Sequence, residues 1–462
     1  MAINSCPLCL QKQREIDDLK EENRRLRVMV RNQQRKMEEG AFGSSTPSSK
    51  IPIKPNVKDK EKKPKGARLG HLGKGRKDLN NEPVDDVVEV ESEFEVCPEC
   101  GDPLEKKGMQ ERSVIDTPSH KPEKILFLLS KRYCCRCRRS FVPQPPGVLP
   151  KSLYGNQLIA SAITMCYLYG LPLGRISEST GVGSGSLMEM FHRISRLFES
   201  VPPKLIEEYR QAPVKHADET SWRTDGQNGY VWLFATPKVS IFQFGKSRSS
   251  QVAHAVFGKD PLPGVLVVDR YGGYNKAPCE IQYCYAHLLR HIQDLEKEFP
   301  EDKEVASFVA VTAPLIALAM GLRGQPITDK QFYRKANKLA CQIKAAMNKP
   351  ALHQGIRRIQ DIFRENEHRM YQWAKNRAVP PDNNLAERDL RPSVIARKVS
   401  FGSVTDNGAK TRSTLTSIAT TLKKQGVDPT ERIKDALDQL ARDMKQDPYP
   451  LLFPRSDLLK TN

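Results

Sequence analysis

GVLVVDRYGGYN (residues 264–275) decides how this chain is read. Four β-favouring apolar residues, Val265 to Val268, run straight into an acid, Asp269, and a glycine turn. An apolar strand ending in Asp places a carboxylate at the mouth of a sheet rather than inside it. Upstream, VKHADETSW (214–222) puts Asp218 at the end of another strand-like run. GYVWLFATP (229–237) and SIFQFGK (240–246) are further short strands between turn residues, and SSQVAHAVFG (249–258) has helical spacing. QYCYAHLLRHIQDL (282–295) predicts the start of a long helical stretch reaching about Trp373, and DNNLAERDLRPSVIARK (382–398) opens the C-terminal helices. Three strands, a helix, a further strand and then helices make a mixed α/β order.

Two acid-tipped strands side by side bring two carboxylates within reach of the same ions, and Glu387 on the DNNLAER helix supplies a third. Three hard oxygen donors suit Mg²⁺ or Mn²⁺. Two such ions about 4 Å apart activate an attacking hydroxyl and neutralise a leaving oxygen. Glu219 neighbours Asp218, but adjacent strand residues face opposite ways, so it is not expected to join them. Arg388 and Arg391 flank Glu387 at helical spacing, which fits a phosphate clamp or a solvated face. Cys284, His287 and His291 share a helix face, as packing residues or as a soft-metal site. Tyr271 and Tyr274 beside Asp269 either stack on a base or pack internally.

The 462 residues carry a net charge of +19, which points to an anionic partner, most commonly nucleic acid. The sequence is read as having no apolar run of membrane-spanning length and no signal peptide, which places the protein in the cytoplasm. Cysteines there stay reduced, so paired cysteines favour metal over disulfides. Cys97-x-x-Cys100 and Cys134-x-x-Cys137 can supply four thiolates to a structural Zn²⁺ in a ribbon over residues 94–142. Cys6 and Cys9 form a third pair with no second pair nearby, read as free thiols or as an intermolecular clasp. Residues 1–39 read as a coiled coil with Cys9, Ile16, Asn23, Val30 and Met37 at a and Leu19 and Leu26 at d, and Asn23 favours a parallel homodimer. Residues 40–93 read as a disordered basic linker, with eleven Lys and Arg against two acids between Lys50 and Lys77. Its GARLGHLGKGRK stretch offers Arg68, Lys74, Arg76 and Lys77 to DNA phosphates. Within residues 150–200, Arg175 to Thr180, a turn at Gly181 and Gly183, and a second helix capped by Ser184 or Ser186 outline a helix-turn-helix.

HADETSW, VVDRYGGYN, CYAHLLRH, DNNLAERDLRP, and SFGS with GAKTRSTLTSIATTLKKQGVDP resemble the transposases of the insertion-sequence sixty-six family, in order and over nearly the whole chain. The CPECG knuckle, the glycine-basic linker and the coiled coil match that family's layout. The chain departs from it after Arg397 and Lys398, where Val399, Ser400 and Phe401 replace the usual Asn and aromatic. The resemblance implies a ribonuclease-H-like core over residues 213–425, with a helical insertion at about 287–375 and a C-terminal helical tail at 426–462. It implies a DDE triad of Asp218, Asp269 and Glu387 holding Mg²⁺ or Mn²⁺, and DNA strand cleavage and joining. It implies an oligomer on element ends and target DNA at the nucleoid, and it suggests a need for accessory proteins of the same element. A non-catalytic zinc-dependent DNA-binding regulator and a ribonuclease-H-like nuclease or resolvase are the competing readings.

Overall fold

The computed structural model describes residues 143–454 without a break, residues 122–130, strands β1 (Arg132–Cys134) and β2 (Arg139–Phe141), and isolated helical positions between Lys12 and Arg27. Two compact units divide the chain, Met1–Thr117 and Pro118–Asn462. In the first, Ile16, Leu19, Asn23 and Leu26 are helical and exposed. The other seam positions of the coiled coil, Cys9, Val30 and Met37, lie outside the described residues, as does the basic linker. In the second unit β1 and β2 pair antiparallel, Cys134 opposite Arg139.

Four helices, α1 (Asn156–Ile163), α2 (Leu173–Thr180), α3 (Ser184–Leu197) and α4 (Val201–Gln211), precede the central sheet and share the main core with it and with the C-terminal helices. The helix-turn-helix of α2 and α3 differs in detail from its sequence outline. Helix α2 begins at Leu173 and closes on Gly181 in the left-handed conformation, and the N-cap of α3 is Gly183, with Ser184 already helical.

The centre of this unit is a five-stranded mixed sheet in the order β5-β4-β3-β6-β7. Strand β3 (Val214–Thr224) turns into β4 (Gln227–Ala235) through Asp225 and Gly226, both with positive φ, the backbone that a tight two-residue hairpin requires. Strand β5 (Ser240–Gly245) adds antiparallel to β4. The chain then crosses over through helix α5 (Ser250–Phe257) to β6 (Val265–Val268), parallel to β3 because a crossover reverses the direction a hairpin would impose. Strand β7 (Glu280–Tyr283) extends the sheet in parallel beyond β6. That strand corrects the sequence reading, which ran residues 282–295 as one helix. The four-residue run EIQY is too short for periodicity to separate strand from helix, and pairing with β6 decides it.

Alternation along β4 divides the core. Trp232 and Phe234 face the main cluster, while Val231, Leu233 and Ala235 face a second one with Trp222, Phe242, Ala386, Leu390 and Ala396. The last three belong to the Glu387-bearing helix, Asn384–Ser400, so that helix is seated on the sheet face that Asp218 shares with Leu233 and Trp222. Each large side chain buried there contributes about 1.5–3 kcal/mol. The loop after the helix is fastened to the β3–β4 hairpin. Ser403 donates its N–H to the Arg223 carbonyl at 2.9 Å and accepts from Trp222 Nε1 at 3.1 Å. Gly402 has φ +138, and a Cβ there would meet the Arg223 carbonyl oxygen at 2.1 Å, so only glycine fits.

The outer edge of β5 is covered by helix Asp406–Lys424. Ser413, Ser417 and Thr421, four residues apart on one helix face, hydrogen-bond the β5 backbone at Phe242 and Ser240. These hydroxyls satisfy edge groups that would otherwise template another strand.

Beyond β7, helices α6 (Tyr285–Glu298), α7 (Lys303–Leu322) and α8 (Asp329–Asn348) pack in series. Helix α7 corrects a second expectation. With mean hydropathy 2.2 it is long and apolar enough, by length and composition, to cross a membrane. Ser307, Thr312 and Pro314 break the run visually but leave residues 305–322 without a charge. Its buried positions, Val305, Val309, Thr312, Ile316, Ala319 and Leu322, form one helical stripe, and about a third of its apolar stretch is buried.

Candidate active site

Strands β3 and β6 run parallel with Val214 beside Val265 and His216 beside Val267, where their ladder ends. Asp218 lies two residues further along β3, mid-strand rather than at its end, and Asp269 directly follows β6, near enough that its charge raises the Asp218 pKa. Neighbouring strands lie about 4.8 Å apart, which keeps the two acids close to one another. Each is held by its own backbone. Asp218 Oδ1 accepts the Glu219 N–H at 2.9 Å, and Asp269 Oδ1 accepts the Tyr271 N–H at 2.9 Å. Glu387 lies in the first turn of its helix, where the helix dipole favours a carboxylate.

Burial pushes the Asp218 carboxyl up to about 8, and the neighbouring charges of Glu219, Asp269 and Glu387 push the same way. Crowded carboxylates in a partly dry site disfavour one another's ionised forms unless a cation joins them. A second observation agrees: Glu387 Oε1 is buried with no hydrogen-bond partner. Three oxygen donors of this kind, one orphaned and one held from ionising by burial and by its neighbours, fit a hard divalent cation.

Glu219 points to the other face. Its carboxylate accepts from Arg248 at 2.6 and 3.0 Å and from Tyr274 Oη at 2.5 Å. Tyr274 is fully buried against Trp232, and Arg248 lies 4.2 Å over the Tyr271 ring, so both tyrosines are engaged within the fold.

A family model described as Transposase IS66 family matches residues 151–411. The chain belongs to that family. Membership makes it a DNA-binding, nucleic-acid-processing enzyme, and the matched stretch contains all three acids. Two relatives from Sinorhizobium fredii (strain NBRC 101917 / NGR234) are similar to it over most of their length, both named only as uncharacterized proteins. Protein y4jD is 22% identical over 396 residues, 77% of this chain and 76% of its own. Protein y4qI is 22% identical over 379 residues, 72% of this chain and 69% of its own.

In this IS66-family chain a residue that sequence reasoning passed over ties the site together. Asn383 is buried just before the Glu387 helix. Its Nδ2 donates to the Ala217 carbonyl at 2.9 Å, its Oδ1 lies 2.9 Å from His216 Nδ1, and its N–H donates to Cys284 Sγ at 3.2 Å. Because Oδ1 only accepts, His216 carries its proton on Nδ1. Burial lowers the His216 pKa to about 4, so the ring is neutral at physiological pH. One residue thus joins β3, through its side chain, and the start of α6, through its backbone N–H, to the Glu387 helix. Asn in DNNLAER was the available signal, yet Asn before a helix ordinarily reads as a cap. Asn383→Ala leaves a buried carbonyl and histidine unpaired and lets the Glu387 helix drift. In a metal-dependent cleavage assay the rate falls by about 100-fold with DNA affinity retained; an unchanged rate shows that Asn383 does not position the helix.

The remaining predicted residues are distributed as follows. Arg388 and Arg391 are exposed on the Glu387 helix. Cys284 caps α6, and burial pushes its thiol up to about 11. His287, one turn on, has Nδ1 at 3.9 Å from Glu387 Oε1, too far for a hydrogen bond. His291 lies near Arg270 instead. Cys97, Cys100, Cys137, Arg68, Lys74, Arg76 and Lys77 lie outside the described residues, and of Cys134 only its strand position is described.

Proposed function

We propose that this protein is a DDE transposase that cuts the ends of an insertion element and joins them to target DNA by phosphoryl transfer. The observation that carries the reading is the proximity of three acids, the charges of Asp269 and Glu387 both raising the pKa of Asp218, just past the parallel ladder of β3 and β6. The strand order, three antiparallel strands followed by two parallel ones, supports a ribonuclease-H-like core. Asp218 and Asp269 would hold metal together, and Glu387 would complete the set from the helix. Two Mg²⁺ or Mn²⁺ ions held there supply activation of a water or 3′-hydroxyl and charge neutralisation at the leaving oxygen. Asn383 fixes the helix, and Arg388 and Arg391, exposed beside Glu387, are placed to meet backbone phosphates. Purified protein incubated with its own element's ends and Mg²⁺ yields nicked and joined products under this reading. DNA binding without cleavage would support a regulator, and cleavage without joining a nuclease or resolvase.

The flanking segments complete the proposal. Cys97, Cys100, Cys134 and Cys137 bind a structural Zn²⁺, the N-terminal coiled coil makes a parallel homodimer or seeds a higher oligomer, and accessory proteins of the same element assist. The helix-turn-helix contacts DNA, its exposed leading positions being Ser184, Gly185, Ser186 and Glu189. The protein works on DNA in the cytoplasm, at the nucleoid. The basic linker, including Arg68, Lys74, Arg76 and Lys77, lies along phosphates. If six of its cations release counterions, the log-log salt slope of DNA binding gains about −5. Deleting residues 50–77 therefore flattens the slope while sparing sequence preference, and an unchanged slope assigns the linker the role of a spacer.

A further inference from the structure

Beside the acidic triad is a cluster of different chemistry. Cys284, His287 and Glu387 each present one ligand atom, and the three atoms lie within 4.8 Å of one another. His287 Nδ1 and Glu387 Oε1 are both buried without a hydrogen-bond partner, although they stand only 3.9 Å apart. We propose that Cys284, His287 and Glu387 form a second metal site, selective for zinc-class ions, that draws Glu387 away from the acidic triad.

The fold builds the site from two helix starts. Cys284 caps α6 and His287 lies three residues on, so both side chains share one helix face. Glu387 lies in the first turn of the neighbouring helix. Backbone bonds clamp the two starts: the Tyr285 N–H donates to the Pro381 carbonyl at 2.8 Å, and the Asn383 N–H donates to Cys284 Sγ at 3.2 Å. Ligand atoms around a tetrahedral zinc lie about 3–4 Å apart, close to the His287–Glu387 separation. Only small side-chain rotations are needed to close the triangle, and water fills the fourth position. On binding, the Cys284 thiol releases its proton to solvent and Sγ takes the ion. His287 binds as neutral imidazole through Nδ1 and keeps its proton on Nε2.

Donor softness decides which ion enters. Asp218 and Asp269 offer only oxygen and suit Mg²⁺, whereas a sulfur, nitrogen and oxygen set favours Zn²⁺, Co²⁺ or Cd²⁺. Because Glu387 belongs to both sets, occupancy of the soft site removes the third carboxylate from the hard one. That consequence, inhibition of strand cleavage by zinc, rests on the proposed transposase reading; the binding does not.

The test uses full-length protein as purified, so that metal already held elsewhere stays in place. Wild type, Cys284→Ser, His287→Ala and Asp269→Asn are dialysed against low free Zn²⁺, and bound zinc per chain is measured. Serine is itself a good N-cap, and matching unfolding curves confirm that Cys284→Ser keeps the fold. Wild type and Asp269→Asn carry one more zinc per chain than Cys284→Ser and His287→Ala. Added Co²⁺ gives a thiolate-to-cobalt absorption band that Cys284→Ser lacks. Equal zinc content and equal spectra in wild type and Cys284→Ser overturn the site, and loss of the extra ion in Asp269→Asn moves it to the triad and overturns it too. In Mg²⁺-driven cleavage, zinc inhibits wild type about tenfold more strongly than Cys284→Ser. An extra zinc that depends on Cys284, in a protein that never cleaves DNA with Mg²⁺, upholds the site and fails the transposase reading.

Discussion

Asp218→Asn and Asp269→Asn are expected to lower strand cleavage and strand transfer by about a thousandfold or more, because each removes a charge that holds metal against the transferring phosphate. Glu387→Gln behaves alike. All three substitutions keep side-chain shape. In Asp218→Asn the side-chain carbonyl oxygen still accepts the Glu219 N–H, so folding and DNA binding survive. Glu219→Gln is the contrast. Its side chain faces Arg248 and Tyr274 on the other side of the sheet, so it costs stability through a weakened pair between the buried Glu219 and the half-exposed Arg248, and leaves the chemistry far less affected. Electrophoretic assays of cut and joined products, run beside DNA-binding curves, read both quantities. Equal loss in Glu219→Gln and Asp218→Asn would show that the fold, not the metal site, was damaged.

The same substitution has an opposite effect on stability. Without metal, Asp218 sits in the folded protein with a pKa raised from 3.8 to about 8. For an acid raised on folding, the protonated form is the one the fold prefers. Metal-free stability is therefore fully present below the unfolded value and is lost as pH rises from about 4 to about 8. Asp218→Asn cannot ionise and escapes this loss, so near neutral pH it gains on the order of 2–4 kcal/mol over wild type, and the gain shrinks to nothing toward pH 4. Mg²⁺ reverses the comparison by stabilising wild type and not the variant. Thermal unfolding across that pH range, with and without Mg²⁺, checks both signs. A variant less stable than wild type at neutral pH without metal would contradict the crowding of carboxylates at this site.

Asp269 was legible because an apolar run of β-favouring residues, Val265 to Val268, leads straight into it. Asp218 does not end its strand as the sequence suggested: β3 runs on to Thr224, because pairing with β4 extends it past the acid to the turn at Asp225 and Gly226. What escaped was set by tertiary contact. Strand β7 is four residues long, and only pairing with β6 distinguishes it from the helix that follows. Ser413, Ser417 and Thr421 read as an ordinary polar helix face; their purpose appears only when the β5 edge lies beneath them. Asn383 resembles a cap until His216 and Ala217 arrive from a strand some 166 residues earlier in sequence. The Cys284, His287 and His291 triplet was visible as a helix face, yet the third member of the cluster, Glu387, comes from another helix, and His291 turns toward Arg270. A helix-face pattern reports which side chains share a side, not what meets them there.

The most direct measurement soaks crystals of the protein with Mn²⁺ and locates the ion by anomalous scattering. The account predicts a peak about 2.2 Å from carboxylate oxygens of both Asp218 and Asp269, with Glu387 completing the set and the peak lost in Asp218→Asn. Mn²⁺ bound elsewhere, with Asp218 and Asp269 free of metal, would contradict it.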